Sequence, residues 1–124
     1  MNTILVIEDN YQNARLAEKL LGRAGYDVMI AEDGETGLQQ AIDSFPILIL
    51  ADMGLPDMDG QTVVAMLKQQ THLEHVPIIA YTAWPKDTAT KMAKTYGCQG
   101  IITKPLNTRT FISEIETFLT VSRN

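Results

Sequence analysis

Three carboxylates, one hydroxyl and one amine in this chain stand where strand-like apolar runs stop. The run Ile4-Leu5-Val6-Ile7 stops at Glu8-Asp9, and Ile47-Leu48-Ile49-Leu50-Ala51 stops at Asp52. Val76-Pro77-Ile78-Ile79-Ala80-Tyr81 stops at Thr82, and Ile101-Ile102-Thr103 stops at Lys104-Pro105. If these runs are parallel strands, their carboxyl ends share one edge, and residues distant in sequence meet there. Clustered carboxylates repel one another unless a cation compensates. A hard divalent ion does so: Mg²⁺ (or Mn²⁺) takes oxygen ligands, few of them carboxylates, and keeps waters that a phosphate oxygen can replace. Asp9 and Asp52 are read as direct ligands and Glu8 as acting through a water. Asp52, central on the edge, is also a carboxylate nucleophile able to accept a phosphoryl group. An ammonium (Lys104) and a hydroxyl (Thr82) beside it would hold the transferred oxygens.

The elements that must position these residues follow from periodicity. Strands are expected at 3–7, 27–31, 47–51, 78–81 and 100–103. Helices are expected from Asn10 to Arg23, capped by Asn10 and stopped at Gly25, and from Asp33 to Ser44, with Leu38, Ala41 and Ile42 inward. A third runs from Gln61 to Gln70 with Val64, Met66 and Leu67 as core. A fourth starts with Pro85 in its first turn and ends at Gly97. The last is capped by Asn107 or Thr108 and carries Phe111, Ile112, Ile115, Phe118 and Leu119. Gly54, Pro56 and Gly60 make 52–60 a loop. Strands alternating with helices predict an α/β fold: a five-stranded parallel sheet in the flavodoxin-like order 2-1-3-4-5 with helices on both faces.

Composition bounds the alternatives. The chain has 124 residues, 45% hydrophobic and 20% charged, which suits one domain spanning 1–124. Ten basic against fifteen acidic residues give a net charge of −5, which argues against nucleic acid or an anionic membrane as partner. No apolar run is long enough to span a bilayer, no signal peptide is visible, and the single cysteine, Cys98, forms no intrachain disulfide; a cytoplasmic setting is expected.

In order, the pieces Glu8-Asp9-Asn10, Leu48-Ile49-Leu50-Ala51-Asp52-Met53-Gly54-Leu55-Pro56-Asp57-Met58-Asp59-Gly60, Ile79-Ala80-Tyr81-Thr82-Ala83 and Lys104-Pro105-Leu106 resemble a receiver domain of the two-component response-regulator family. Asp9, Asn10 and Asn13 form an Asp-Asn-x-x-Asn start similar to receivers of phosphorelays and hybrid kinases. The resemblance implies phosphorylation of Asp52 by a histidine kinase or histidine phosphotransfer protein. It implies Mg²⁺ on Asp9, Asp52 and the backbone carbonyl of Gly54, and Lys104 and Thr82, with Ala83 beside it, as the phosphate-binding and switch residues. A downstream protein target would read a surface of helix four, strand five and helix five that includes Trp84, Ile101 and Pro105, and a homodimer can form through that same surface. The chain is expected to be a single-domain signalling phosphoacceptor that assists its own phosphorylation and dephosphorylation, not an enzyme in the usual sense. Four positions depart from the family pattern: Ile101 stands where an aromatic is usual, Gly54 and Trp84 flank the phosphoacceptor and the Thr, and Ile47 replaces a frequent Asp.

The same residues admit other readings. A pseudo-receiver, a phosphate-independent protein-binding module of the same fold, is motivated by Ile101 and opposed by the complete acid, Thr and Lys set. A flavodoxin would need a hydroxyl- and glycine-rich loop where Glu8-Asp9-Asn10 stands, and an aspartate-dependent phosphatase would need an acid at position 54. Asp57 and Asp59 read as turn chemistry. His72 and His75 lack a third metal ligand and read as exposed loop residues. Cys98 reads as a small apolar filler, and Met53, Met58, Met66 and Met92 as packing. Lys86, Lys91 and Lys94 form a solvated helix face, and Trp84-Pro85 either packs locally or anchors a partner.

Overall fold

Five short runs pair in register to build the platform: β1 (Thr3–Ile7), β2 (Asp27–Ala31), β3 (Leu48–Asp52), β4 (Ile78–Thr82) and β5 (Gly100–Thr103). The computed structural model describes residues 2–123, with side chains as far as residue 120. All pairings are parallel and the order is β2-β1-β3-β4-β5, as expected. The connecting helices are α1 (Tyr11–Arg23), α2 (Gly34–Asp43), α3 (Gly60–Lys68), α4 (Lys86–Tyr96) and α5 (Phe111–Arg123), with a 3₁₀ turn at Thr71–Leu73.

Side chains alternate across a strand, so each strand feeds two cores. Ile4, Val6, Leu48, Leu50, Ile79, Tyr81 and Ile102 pack with Ala17 and Leu21 of α1 and Phe111, Ile115 and Leu119 of α5. Leu5, Ile7, Ile49, Ala51, Ile78 and Ala80 pack with Leu38, Ala41, Val63, Val64, Leu67 and Met92 from α2, α3 and α4. Helices therefore cover both faces, and the central strands β3 and β4 are buried throughout.

Caps explain the helix starts. Asn10, Asp33 and Asp59 are N-caps whose side chains accept from the backbone N–H of Asn13, Thr36 and Thr62. After α1, Gly25 takes φ +97° beyond the C-cap Ala24, and after α4 Gly97 takes φ +86°.

Several boundaries and faces differ from expectation. β3 starts one residue later and includes Asp52, and β4 includes Thr82, so both polar groups end a strand instead of following it. Pro85 is the N-cap of α4, outside its first turn. At Asn107 the chain forms a turn, its carbonyl accepting from Thr110 N–H and Phe111 N–H, and α5 begins only at Phe111. Met66 is 41% exposed and Ile42 43% exposed. The inward face of α3 is Gly60, Val63, Val64 and Leu67, and that of α2 is Gly34, Gly37, Leu38 and Ala41. Both faces follow i, i+3, i+4, i+7 spacing, which leaves Met66 outside the stripe of α3 and Ile42 at the edge of that of α2. Glycines hold part of each face, because neighbouring side chains come too close for a Cβ.

Candidate functional site

Register brings the acids together. Ile7 pairs with Ala51 and Asp52 pairs with Tyr81, so Glu8, one residue past Ile7, stands beside Asp52. Thr82 pairs with Thr103, which sets Lys104 on the same edge; Lys104 N–H donates to the Thr82 carbonyl at 2.8 Å. Glu8, Asp52 and Lys104 share the parity of Val6, Leu50 and Ile102 and belong to the α1/α5 side of the sheet. Thr82 has the opposite parity, and its Oγ1 accepts from Trp84 N–H at 3.0 Å.

Lys104 Nζ donates to Glu8 Oε1 and Oε2 at 3.1 and 3.0 Å and lies 3.2 Å from Asp52 Oδ2. The same ammonium sits 4.7 Å from the centre of the Tyr81 ring, which adds a cation–π contact. Asn13 Nδ2 donates to Glu8 Oε1 at 3.0 Å, and Gly54 N–H donates to Asp52 Oδ1 at 2.9 Å. Ligand oxygens of Glu8, Asp9 and Asp52 all lie within 4.8 Å of one another. Glu8 and Asp52 are buried at 1% and 5% exposure, whereas Asp9 is exposed and keeps the cluster open to solvent.

Burial pushes the Glu8 carboxyl up to about 7, helped by the neighbouring Asp52 carboxyl, against the pull of Lys104 and Asn13. Burial also pushes Asp52 upward. The neighbouring Glu8 carboxyl, Gly54 N–H and Lys104 outweigh that and hold it below the usual carboxylate range. The two neighbouring carboxyl groups are thus pushed in opposite directions, Glu8 up and Asp52 down. One ammonium faces three carboxyl groups, so the site carries surplus negative charge and only oxygen donors. That donor chemistry fits a hard divalent cation.

Of the other expected positions, Ala83, Trp84 and Pro105 are exposed around the same edge, Gly54 follows Asp52 on the loop, and Ile101 is half-buried against the α2/α3/α4 core. The Lys104–Pro105 peptide bond is cis. His72 Nε2 lies 2.8 Å from the Ala41 carbonyl and its ring meets Phe45 edge-on. Two residues at the site were given no site role by the sequence: Asn13, named there only as part of the Asp-Asn-x-x-Asn start, and Tyr81. Asn13 reaches Glu8 because Asn10 fixes the first turn of α1, which is a spacing signal already present in Asp-Asn-x-x-Asn. Tyr81 looked like one more apolar strand residue, and only parity aims its ring at Lys104.

The pattern of the response regulator receiver domain matches residues 4–116, and the chain belongs to that family. Among its relatives, the polar-differentiation response regulator DivK of Brucella ovis is 32% identical over 117 residues, covering 94% of this chain and 95% of the relative. The chemotaxis response regulator CheY4 of Vibrio cholerae superposes with a TM-score of 0.89 at 25% identity, covering 95% of this chain and 98% of that one. A putative response regulator of Chloroflexus aurantiacus gives 0.90 at 28% identity over 96% and 98%. The protein is therefore a receiver of the two-component signalling type, with the acidic cluster of Glu8, Asp9 and Asp52 at the edge where such domains are phosphorylated. Among the described residues, no helix is long and apolar enough to cross a membrane.

Proposed function

We propose that Asp52 is the phosphoacceptor of a single receiver domain spanning 1–124, loaded by a histidine kinase or histidine phosphotransfer protein and read by a downstream protein target. The observation that carries this is the placement of Lys104 Nζ 3.2 Å from Asp52 and hydrogen-bonded to buried Glu8. An unprotonated Asp52 oxygen attacks the phosphorus of a phosphohistidine. A P–O bond forms, the P–N bond breaks, and the electron pair leaves with the imidazole nitrogen. Lys104 offsets charge on the phosphoryl oxygens, and Gly54 N–H orients the carboxylate by holding its other oxygen. Asp9, Asp52 and the Gly54 carbonyl would hold Mg²⁺ or Mn²⁺, with Glu8 behind them; the ion, when bound, supplies charge neutralisation of the phosphoryl group. Thr82 gives up its bond from Trp84 N–H to donate its hydroxyl proton to the new phosphoryl oxygen. That exchange is a local event able to bias the adjacent surface of α4, β5 and α5, with Trp84, Ile101 and Pro105 on it.

The test is Mg²⁺-dependent labelling by acetyl phosphate. Label should appear in the wild type and vanish in Asp52→Asn; equal labelling of the two proteins rejects the assignment. Trp84 emission should respond first to Mg²⁺ and again to beryllofluoride. Partner binding that is indifferent to beryllofluoride would instead favour a phosphate-independent protein-binding module.

A further inference from the structure

The loop after Asp52 is fastened to a helix from another part of the chain. The Asp57 carboxylate accepts from Gly34 N–H at 2.8 Å and Glu35 N–H at 3.0 Å, more than twenty residues away in sequence. These are the first two orphan donors of α2, whose own N-cap, Asp33, already serves Thr36 at 2.7 Å. A carboxylate from the β3–α3 loop thereby joins two parts of the chain that are distant in sequence. The contact also lowers the Asp57 pKa, chiefly through the Gly34 and Glu35 N–H groups.

Packing tells the same story independently. A Cβ on Gly34 would fall 2.5 Å from Met58 Cγ and 3.2 Å from Asp57 Oδ1, so glycine there lets the loop sit directly on the helix start. Gly54 and Asp59 form an antiparallel bridge that closes the segment between them, and Gly60 lies against Met53. Asp57 is thus the outer anchor of a small closed loop whose inner end is Gly54, the residue bonded to Asp52 Oδ1.

We propose that Asp57 is a positioning residue: it clamps the 53–59 loop onto the N-terminus of α2 so that Gly54 is held in place against Asp52 before any ligand arrives. The proposal rests on Asp52 as phosphoacceptor for its functional meaning, but its structural content can be measured without phosphate or metal.

The experiment is residue-resolved amide exchange by NMR on the metal-free full chain, for wild type, Asp57→Asn and Asp57→Ala, well below each protein's melting temperature. Gly54 amide protection should drop about tenfold in Asp57→Ala and by less in Asp57→Asn, which keeps one acceptor oxygen, while Ile49 and Leu50 in β3 keep theirs. Calorimetric Mg²⁺ titration of the same proteins should show affinity weakened about tenfold in Asp57→Ala, the usual effect of losing an outer support of a metal site. Unchanged Gly54 protection, with only a lower melting temperature, would mean that Asp57 is a helix cap and nothing more, and the proposal falls. If wild type itself binds no Mg²⁺, the metal reading fails, and the exchange result alone decides on Asp57.

Discussion

Lys104 grips both oxygens of Glu8, at 3.0 and 3.1 Å, across a separation of 96 residues in sequence. The ammonium therefore occupies the acidic edge as an internal counter-ion, and it also faces Asp52. It must compete with any added cation while helping any added anion. Lys104→Met should tighten Mg²⁺ binding about fivefold, by removing a nearby positive charge, and weaken beryllofluoride binding in the presence of Mg²⁺. Calorimetry of both ligands checks this. Affinities that fall together would contradict the counter-ion picture.

Cys98 is packed beside the α2/α3/α4 core, and burial pushes its thiol up to about 11, slightly opposed by Lys68. A thiol raised in the folded state stabilises the fold fully below its ordinary value near 9.0 and loses that contribution as pH rises through about 11. Iodoacetamide should modify the folded protein slowly at pH 8 and the urea-unfolded protein quickly. Equal rates in the two states would show the thiol to be exposed.

Adjacent residues on α3 should behave in opposite ways. Leu67 is fully buried and Met66 is 41% exposed. Leu67→Ala should cost about 2–5 kcal/mol of unfolding free energy and Met66→Ala under about 0.5 kcal/mol. Urea unfolding monitored by circular dichroism measures both. A large loss at Met66 would restore it to the core.

Two glycines test packing against propensity. A Cβ at Gly37 would meet Ile7 Cδ1 at 2.6 Å, whereas nothing lies within 4 Å of the same position at Gly22. Gly37→Ala should destabilise by about 1–3 kcal/mol through overpacking. Gly22→Ala, inside α1, should stabilise by about 0.5–1 kcal/mol because alanine gives up less chain entropy there. Shifts of the same sign in thermal melts would overturn the distinction.

Much of this was legible in the linear chain. Unbroken apolar runs marked β1, β3 and β4, since a strand covered on both faces has no polar side to show. Asn10, Gly25 and Gly97 marked helix ends, because capping chemistry is local. Parallel alternation put Glu8, Asp9, Asp52, Thr82 and Lys104 at one edge, and the fold gathers Glu8, Asp52 and Lys104 into direct contact with Asp9 beside them.

Other features are set by through-space neighbours. Ile42 and Met66 looked like core because they are apolar, yet α2 and α3 pack through faces that include Gly34, Gly37 and Gly60, and these two side chains stay exposed. Asp57 read as a turn residue because its partners, Gly34 and Glu35, lie on another helix. The opposite pKa shifts of Glu8 and Asp52 likewise depend on desolvation and on which donors reach which oxygen. Sequence determined which groups stand at the ends of the strands, because periodicity and capping act between near neighbours. Tertiary structure decided which of those groups touch, which way their pKa values move and what braces them, because burial and hydrogen bonding act across distances that chain order does not record.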